Sequence, residues 1–465
     1  MMLTRQIARA ARRSLDRLIR RSGVDAAGGG RRWSNFHGIA SPESATLAAR
    51  GAAKARAAAL ALNTPAGARI VEAWASNLVG RGWQARSGHP DEDTRRRLSA
   101  EFEAMVGPIL VPLARALVRD GEAFVRLLPD DAGALELRLL PADQIDPSLT
   151  RDLGGGARIV AGVEFDAADR VVAFHVLREP PGSPLGAASF EAVRVPAQDM
   201  IHVLDRAFPG QVRGLSWLAP VALKLRDRDE ASDALLMQLK VAAALTGFVT
   251  DPDGTGGGFP GQRSGEKLDL TLAPGALRVL PSGAGIEFTP VTPALAQAVD
   301  FLRSMDREIA SGAGLTYEQL TGDLSEANYS SARVGLLEFR RRAEMLQRAL
   351  IEAQFLRPLW ARWIATQALA GAIPADPQSL AAHGAVRFVA PGWQWVDPLK
   401  EAQGEIAAID AALKSRAEVV AARGRDLDEL DAELEADTFR RAGRAAPAEP
   451  QDEDEDDEGQ GRDAA

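Results

Sequence analysis

Segments with helical and strand-like patterns are segregated along this chain, and that order constrains its fold more than any other feature. Residues 42–128 are mostly helical in pattern and rich in alanine, the best helix former. Within residues 121–205, short apolar runs are bounded by glycine, proline and aspartate, which predicts strands at EAFVRLLP, LELRLL, ARIVAGVEF, RVVAFHVL and DMIHVL. Residues 214–370 return to helical patterns. Because strands and helices do not alternate, the sequence argues against a doubly wound sheet and predicts a mainly helical α+β fold.

One loop gathers most of the polar groups that could carry chemistry. GLTYEQLTGDLSEANYSSAR, residues 314–333, contains both tyrosines of the chain and joins two predicted helices. Ser330 and Ser331 have no histidine or lysine near them in sequence to act as a base. Asp323 and Glu326 could pair as glycosidase-type carboxylates, but two acids three residues apart on a loop are commonplace. We therefore expect no catalytic residues here and no enzyme.

The sequence has no pattern for a metal, cofactor or membrane-spanning segment. It lacks cysteine, which excludes disulfides, thiolate catalysis and zinc–sulfur sites. Its glycine clusters lack the context of a phosphate-binding loop. Its longest apolar runs fall well short of the roughly 20 residues that cross a bilayer. The histidines, which lack the HxxxH or HExxH spacing of zinc ligands, are expected to be structural: His37, His89, His175, His202 and His383.

Charge is distributed unevenly between the two ends of the chain. The first 32 residues hold nine arginines against two aspartates, which fits an interaction arm for nucleic acid or an acidic partner, a transit peptide, or a frayed solvated end. At the other end, Asp452–Glu458 is a run of seven carboxylates, whose mutual repulsion predicts disorder. With a net charge of −9 the chain is not expected to be a general nucleic-acid binder.

The third part of the chain combines long helices with one glycine-rich insertion. A helix is expected to begin near residues 216–220 and to carry the charged run KLRDRDEASD, so it should bridge solvent or pack against copies of itself. The insertion DPDGTGGGFPGQRSG follows it, and a second helix covers residues 294–314. After the polar loop comes a helix of about residues 331–368, which Pro358 should kink.

Several of these segments together resemble one protein family. SGAGLTYEQLTGDLSEANYSSARVGLLEFRRRAEMLQRALI is similar to the signature of lambda-family phage portal proteins, in which Gly-Leu-x-Tyr-Glu, Gly-Asp and Asn-Tyr-Ser-Ser-x-Arg precede a long helix. NTPAGARIVEAWASNLVGRG, DGEAFVRLL, GVEFDAADRVVAFHV, residues 194–249 and residues 395–426 resemble the same family. The similarity runs in order over residues 60–430 and implies a portal-protein fold.

The resemblance implies a ring, a dodecamer, of subunits divided into wing, stem, clip and crown. The implied division is a flexible basic arm at 1–40, the wing at 41–214 (helices, then short antiparallel strands), stem helices at 215–248 and 293–314, the clip at 249–292, a channel loop at 315–331, the long helix and return to the wing at 332–392, the crown at 393–443 and a disordered acidic tail at 444–465.

The resemblance also implies three sets of functional residues. The DNA-channel loop would present Thr316, Tyr317, Asp323, Ser325, Glu326, Asn328, Tyr329 and Ser330. Stem contacts between subunits would involve Arg226, Asp227, Arg228, Asp229 and Glu230. The docking surface of the clip would include Asp253, Phe259 and Arg263.

The implied function is a conduit at one capsid vertex through which double-stranded DNA is packaged and ejected. Its implied partners are further copies of the chain, DNA in the channel, the terminase large subunit, major capsid and scaffold proteins, and the head–tail connector. The implied location is the virion, and the host cytoplasm during assembly. Two alternatives are another capsid-associated minor head or scaffold protein, and a DNA-processing enzyme, for which the sequence shows no convincing carboxylate cluster to hold metal ions.

Overall fold

The computed structural model describes residues 39, 41–131, 133–183, 191–244, 248–250, 263–264, 267–268, 278–280, 291–325, 329–394 and 397–437. The predicted acidic tail, nearly all of the predicted basic arm and most of the predicted clip lie outside these residues.

Helices and strands follow the order predicted from the sequence. The α-helices are α1 (Pro42–Asn63), α2 (Pro65–Val79), α3 (Glu92–Asp120), α4 (Ala222–Ala244), α5 (Val291–Ala313), α6 (Tyr317–Thr321), α7 (Tyr329–Leu346), α8 (Arg357–Leu369), α9 (Pro377–Gly384), α10 (Pro398–Asp410), α11 (Arg416–Ala422) and α12 (Leu427–Ala436). The strands are β1 (Gln84–Ser87), β2 (Glu122–Pro129), β3 (Leu135–Leu140), β4 (Arg151–Gly154), β5 (Ala157–Val160), β6 (Val163–Phe165), β7 (Val171–Leu177), β8 (Ala192–Pro196), β9 (Met200–Leu204), β10 (Phe248–Thr250), β11 (Arg263–Ser264), β12 (Lys267–Leu268), β13 (Arg278–Leu280) and β14 (Val386–Val389). The mainly helical α+β fold is confirmed.

The strands between α3 and α4 form two antiparallel sheets. One has three strands in the order β3–β2–β9, and the other is a five-stranded meander from β4 to β8. The prediction of one strand over ARIVAGVEF is wrong, because this segment forms two strands, β5 and β6, in the structure. Ala161 and Gly162 turn the chain between them with positive φ values of 46° and 81°. Gly162 fits this tight turn because it has no side chain to oppose a left-handed conformation.

Two apolar cores hold these layers together. The larger one packs α2 and α3 against the long helix through fully buried rings such as Trp74, Phe355 and Trp360. The smaller one lies between the two sheets, where Phe124 of β2 meets Phe174 of β7 edge to face, with ring centres 5.8 Å apart. The alternating burial of β3 sends Leu135, Leu137 and Leu139 toward the larger core, as their spacing predicts.

The long helix differs from its prediction in one respect. It is helical from Tyr329 to Leu369, but the segment Gln347–Leu356 has π-helical hydrogen bonding. Pro358 lies two residues after this segment, and a proline has no N–H to donate to the carbonyl four residues before it. The regular helix is therefore interrupted on the N-terminal side of Pro358, where the sequence predicts a kink.

The helix predicted to begin near residues 216–220 begins at Ala222 instead. Tight turns occupy the preceding residues, because Ser216 accepts hydrogen bonds from two backbone amides. The Leu218 N–H donates to its hydroxyl over 3.1 Å and the Ala219 N–H to its carbonyl over 3.0 Å. These local bonds compete with the first helical turn and delay it.

A buried carboxylate, that of Glu122, joins four separate segments of the chain. It is the first residue of β2 and is completely buried. Arg50 of α1 donates to its Oε1 over 2.5 Å, and His202 of β9 lies 3.0 Å from its Oε2. Arg213 (2.9 Å) and the Gly214 N–H (2.9 Å) bind it from the segment that leads into α4.

Arg213 extends this network to both sheets. Its guanidinium is completely buried and donates to the carbonyl of Ala142, after β3, over 2.7 Å. It also donates to the carbonyl of Ala161, in the β5–β6 turn, over 2.5 Å. The guanidinium carbon lies 5.3 Å from the centre of the Phe124 ring. One side chain therefore fixes the separation of the two sheets.

The network determines the ionisation of its members. Burial alone raises the pKa of Glu122, but Arg213, His202 and Arg50 together outweigh burial and hold that pKa well below its usual value. Burial lowers the pKa of His202, against the opposing effect of Glu122. Glu122 is thus a carboxylate at neutral pH, and the stability it contributes is lost as the pH falls through its folded-state pKa.

We expect Glu122→Gln to destabilise the fold strongly. The amide would leave the buried Arg213 guanidinium without a carboxylate in contact and Arg50 with only the more distant Asp143, 3.8 Å away. Removing one partner of a buried ion pair costs about 3–5 kcal/mol. The free energy of unfolding from urea titration should fall by that amount.

Glu164→Gln is the matched control for this substitution. Glu164 also binds an arginine and a histidine, Arg194 at 2.9 Å and His175 at 2.9 Å. Its side chain is 13% exposed, however, whereas that of Glu122 is completely buried, and the Arg194 side chain is 51% exposed. The loss there should be about 1 kcal/mol or less. Equal losses in the two variants would contradict the special role of Glu122.

Candidate functional site

The predicted channel loop, residues 315–331, is not an uninterrupted loop, because it contains the short helix α6. Thr316 caps this helix: its hydroxyl accepts from the Gln319 N–H over 3.2 Å, and the Gln319 side chain accepts from the Thr316 N–H over 3.0 Å. Gly322 ends it in a left-handed conformation (φ 74°). The T-x-x-Q spacing of a capping box is a sequence signal that could have predicted this helix.

A tyrosine–aspartate hydrogen bond closes the residues after α6 onto the helix. The Tyr317 hydroxyl donates to Oδ2 of Asp323 over 3.1 Å. Asp323 Oδ1 also accepts from the Ser325 N–H (3.0 Å) and hydroxyl (2.6 Å). Asp323 is half-buried and its carboxylate is hydrogen-bonded within the loop, whereas Ser325 is exposed.

The same contacts shift the pKa values of both groups. Hydrogen bonds from Ser325, followed by that from Tyr317, lower the pKa of Asp323. Partial burial, followed by the hydrogen bond to Asp323, raises the pKa of Tyr317. At neutral pH the pair is thus a neutral phenol donating to a carboxylate, a charge-assisted bond that is stronger than a neutral one.

The base of the loop is fixed to the rest of the subunit. The Arg307 guanidinium of α5 lies 5.4 Å from the centre of the Tyr317 ring. Arg69 of α2 donates to the carbonyl of Gln319 over 2.7 Å. The side chain of Leu320 is buried in the larger core. These contacts were not predicted, because α2 and α6 are about 250 residues apart in sequence.

The other predicted loop residues are only partly described. Tyr329 and Ser330 are the first two residues of α7, where the sequence predicts the loop to turn into the long helix. Glu326 and Asn328 lie outside the described residues. The structure therefore joins Tyr317 and Asp323 by a hydrogen bond, while Thr316 caps α6 through Gln319.

Three of the five charged residues predicted to contact other subunits have partners within the subunit. Arg226 pairs with Glu230 on the same helix over 2.7 Å. Arg228 crosses to Asp306 of α5 over 3.0 Å. Asp227 is exposed and Asp229 is half-exposed. Charge on α4 alone is thus a poorer guide to subunit contacts than the sequence suggests.

Apolar side chains are exposed on the hairpin that α4 and α5 form. Two ion pairs between the helices, Lys224–Glu308 at 2.9 Å and Arg228–Asp306, show that they run antiparallel. Beyond these pairs, both helices present large apolar residues to solvent. We call this set the hairpin patch: Leu236, Met237, Leu239, Val299 and Phe301.

Of the residues predicted for clip docking, Arg263 lies in β11, which pairs with β12, while Asp253 and Phe259 are outside the described residues. In the part of the chain that the structure describes, no three acidic or histidine side chains are grouped to hold a metal ion. No helix among the described residues is long and apolar enough to cross a membrane.

A family model described as "Phage portal protein, lambda family" matches residues 29–347. The chain belongs to the lambda family of phage portal proteins. It is 26% identical over 422 residues to the probable portal protein of Halomonas phage phiHAP-1, covering 84% of this chain and 81% of that one. Over 376 residues it is 23% identical to portal protein B of Escherichia phage lambda, covering 71% of this chain and 68% of that one.

Solved structures are also similar to this member of the portal family. A chain from the virion of a native gene transfer agent particle has 15% identity and a TM-score of 0.39, covering 86% of this chain and 97% of that one. The HK97 family phage portal protein from Corynebacterium diphtheriae has 13% identity and a TM-score of 0.31, covering 74% of this chain and 97% of that one.

We expect Tyr317→Phe and Asp323→Asn each to loosen the loop without unfolding the subunit. Each removes the charge-assisted bond that ties residue 323 to α6. Amide hydrogen exchange of residues 321–325 should then become several-fold faster at neutral pH.

Asp146→Asn is the control for the aspartate substitution. Asp146 forms the same local turn, accepting from the Ser148 N–H (2.9 Å) and hydroxyl (2.7 Å). That substitution should leave exchange of residues 321–325 unchanged. Unaltered exchange in Tyr317→Phe would mean that the tyrosine hydroxyl does not hold the loop.

Proposed function

We propose that this portal protein assembles as a ring in the capsid and that residues 315–331 face double-stranded DNA in the central channel. The observation that carries the proposal is the family match, which includes the whole of this loop and both helices that flank it. The role is structural, a conduit for packaging and ejection in the virion. The division into wing, stem, clip and crown is part of the proposal.

The charge of the loop suits a channel that DNA must slide through. Between Gly314 and Ser331 the sequence has no lysine or arginine and has three acids, Glu318, Asp323 and Glu326. A row of cations would bind phosphates tightly by releasing counterions, whereas acids and hydroxyls permit only brief contacts. The net charge of −9 per subunit adds a general repulsion between protein and DNA.

The conformation of the loop also suits this role. Thr316 and Gln319 cap α6 with reciprocal hydrogen bonds, the Tyr317 hydroxyl donates to Asp323, and Arg69 and Arg307 hold the base. Ser325 is left exposed beyond these contacts. A loop built in this way would present the same polar group at the same position in every copy of a ring.

Ring contacts are proposed to involve the hairpin patch more than the charges of α4. Several of those charges already have partners within the subunit, whereas Met237 and Phe301 are 62% and 59% exposed. Large apolar side chains exposed on one helical hairpin are candidates for a protein–protein interface. The ring would contain twelve copies of the chain. A neighbouring copy would supply the surface that covers the hairpin patch.

Contacts with other proteins complete the proposal. The terminase large subunit and the head–tail connector would dock on the clip, and the major capsid and scaffold proteins would meet the wing. The subunit would occupy the host cytoplasm only during assembly. Each of these assignments follows from the family resemblance of the residues concerned.

We expect the double substitution Met237→Glu with Phe301→Glu to convert rings into monomers. Two carboxylates per subunit would be buried at each contact without a partner, which is unfavourable. Sedimentation velocity at about 150 mM salt, where surface charges are screened beyond ~8 Å, measures the change.

Leu62→Glu is the control, because Leu62 is 83% exposed near the end of α1 and is not part of the hairpin patch. This variant should still form rings. If the double variant assembles as the wild type does, the hairpin patch is not a ring contact.

We expect Ser325→Lys to give rings that bind a DNA duplex more tightly. One cation per subunit would face the phosphates, and each new phosphate contact steepens the salt dependence of binding by about one unit. Fluorescence anisotropy of a labelled duplex over a salt series measures both effects.

Ser148→Lys is the matched control. Ser148 is exposed and has the same hydrogen bonds to an aspartate two residues earlier as Ser325 has. It lies in the predicted wing, so its substitution should alter duplex binding far less. If both variants bind the duplex equally more tightly than the wild type, the loop does not lie closer to DNA than the wing does.

A further inference from the structure

A cleft of about 730 Å³, separate from the loop and the hairpin patch, lies where four remote parts of the chain meet. They are the end of α2, the middle of α3, residues 391–394 and the turn between α11 and α12. Three arginines line it, Arg81, Arg423 and Arg425, against one carboxylate, that of Glu103. The cleft is therefore cationic.

The positive charge of the cleft is only partly balanced within the subunit, where Glu401 and Glu405 act on Arg423. Glu103 accepts a hydrogen bond from the Ala85 N–H over 2.8 Å and forms an ion pair with Arg86 over 3.4 Å. Arg86 is not one of the three arginines that line the cleft. Arg425 forms an ion pair with Glu433 of α12. Arg81 is exposed, and no carboxylate of the described residues forms an ion pair with it.

Close backbone contacts fix the walls of the cleft. A Cβ on Gly392 would lie 2.0 Å from the carbonyl carbon of Arg423, so only glycine permits this approach. On the same wall, the Trp393 indole N–H donates to Glu344 over 2.8 Å, and Arg340 stacks on its ring at 5.4 Å. The cleft is thus preformed, which lowers the entropic cost of binding an extended segment.

We propose that this cleft binds the acidic segment Asp452–Glu458 of the same chain. Two segments flank the described residues, and their charges differ in sign. Residues 1–38 carry nine arginines and would be repelled by Arg81, Arg423 and Arg425. Asp452–Glu458 offers seven consecutive carboxylates, which complement them.

The length of the connecting chain permits this contact. Helix α12 begins two residues after Arg425, and its ten residues extend about 15 Å. The described chain ends at Asp437, and the fourteen residues 438–451 can reach up to about 45 Å when extended. The connecting chain is therefore longer than the distance that the acidic segment must cover to reach the cleft.

The test uses full-length protein in which each residue of Asp452–Glu458 is replaced by its amide counterpart, Asn or Gln. A fluorescent peptide of residues 448–465 should bind this amide variant, whose cleft is open. Binding should be at least about tenfold weaker to the wild type, whose own tail competes. In the amide variant, hydrogen exchange of residues 80–84 and 392–394 should be faster than in the wild type.

Two further substitutions, each made in the amide variant, locate the binding. Arg81→Ala together with Arg425→Ala should weaken peptide binding at least about tenfold, in a salt-dependent manner. Arg95→Ala, at an exposed arginine in the first turn of α3, should leave it unchanged. A peptide with the seven carboxylates replaced by amides should not bind.

The proposal is wrong if the peptide does not bind the amide variant, or binds it regardless of Arg81 and Arg425. It is also wrong if the peptide binds the wild type as tightly as the amide variant, since the tail would then not occupy the cleft in the same chain. If a DNA duplex binds through these arginines and the peptide does not, the cleft is a nucleic-acid site. None of these measurements requires a ring, so their failure leaves the proposed portal function untouched.

Discussion

The buried ion pair of Glu122 and Arg213 is the interaction on which the rest of the subunit depends. It lies where the end of α3, both sheets and the segment entering α4 converge. Two glycines make this convergence possible: a Cβ on Gly121 would lie 2.2 Å from the Leu215 carbonyl oxygen, and one on Gly214 would lie 2.4 Å from that of Gly121. The direction in which α4 leaves the sheets is therefore set by a charged, completely buried contact and not by apolar packing alone.

Local features of the fold could be predicted from sequence, and contacts between distant segments could not. β2 and β3 were predicted with their observed bounds, because alternation and turn residues are local signals. The pairing of Glu122 with Arg213 spans 91 residues and leaves no periodic trace. The same limit applies to α4, where the ion pair of Arg228 with Asp306 of α5, 78 residues away, was not predicted.

For the candidate site, the sequence identified the residues but not their arrangement. The signature GLTYEQLTGDLSEANYSSAR drew attention to Tyr317 and Asp323, and in the structure the Tyr317 hydroxyl donates to Asp323. The pairing of Tyr317 with Asp323 was not predicted, because composition alone does not show whether the chain between them is helical or extended. The choice depends on the capping box of Thr316 and on the left-handed Gly322, which turn the chain back toward the tyrosine.

These contacts bear on how such a loop could respond to moving DNA. Arg307 of α5 stacks on Tyr317, Arg69 of α2 holds the carbonyl of Gln319, and Leu320 enters the larger core. A force on Ser325 would pass through Asp323 and Tyr317 to α5 and α2. In the proposed ring, residues 314–325 would thus move with the helices that carry them, and repeated passage of DNA need not reorder the loop at each step.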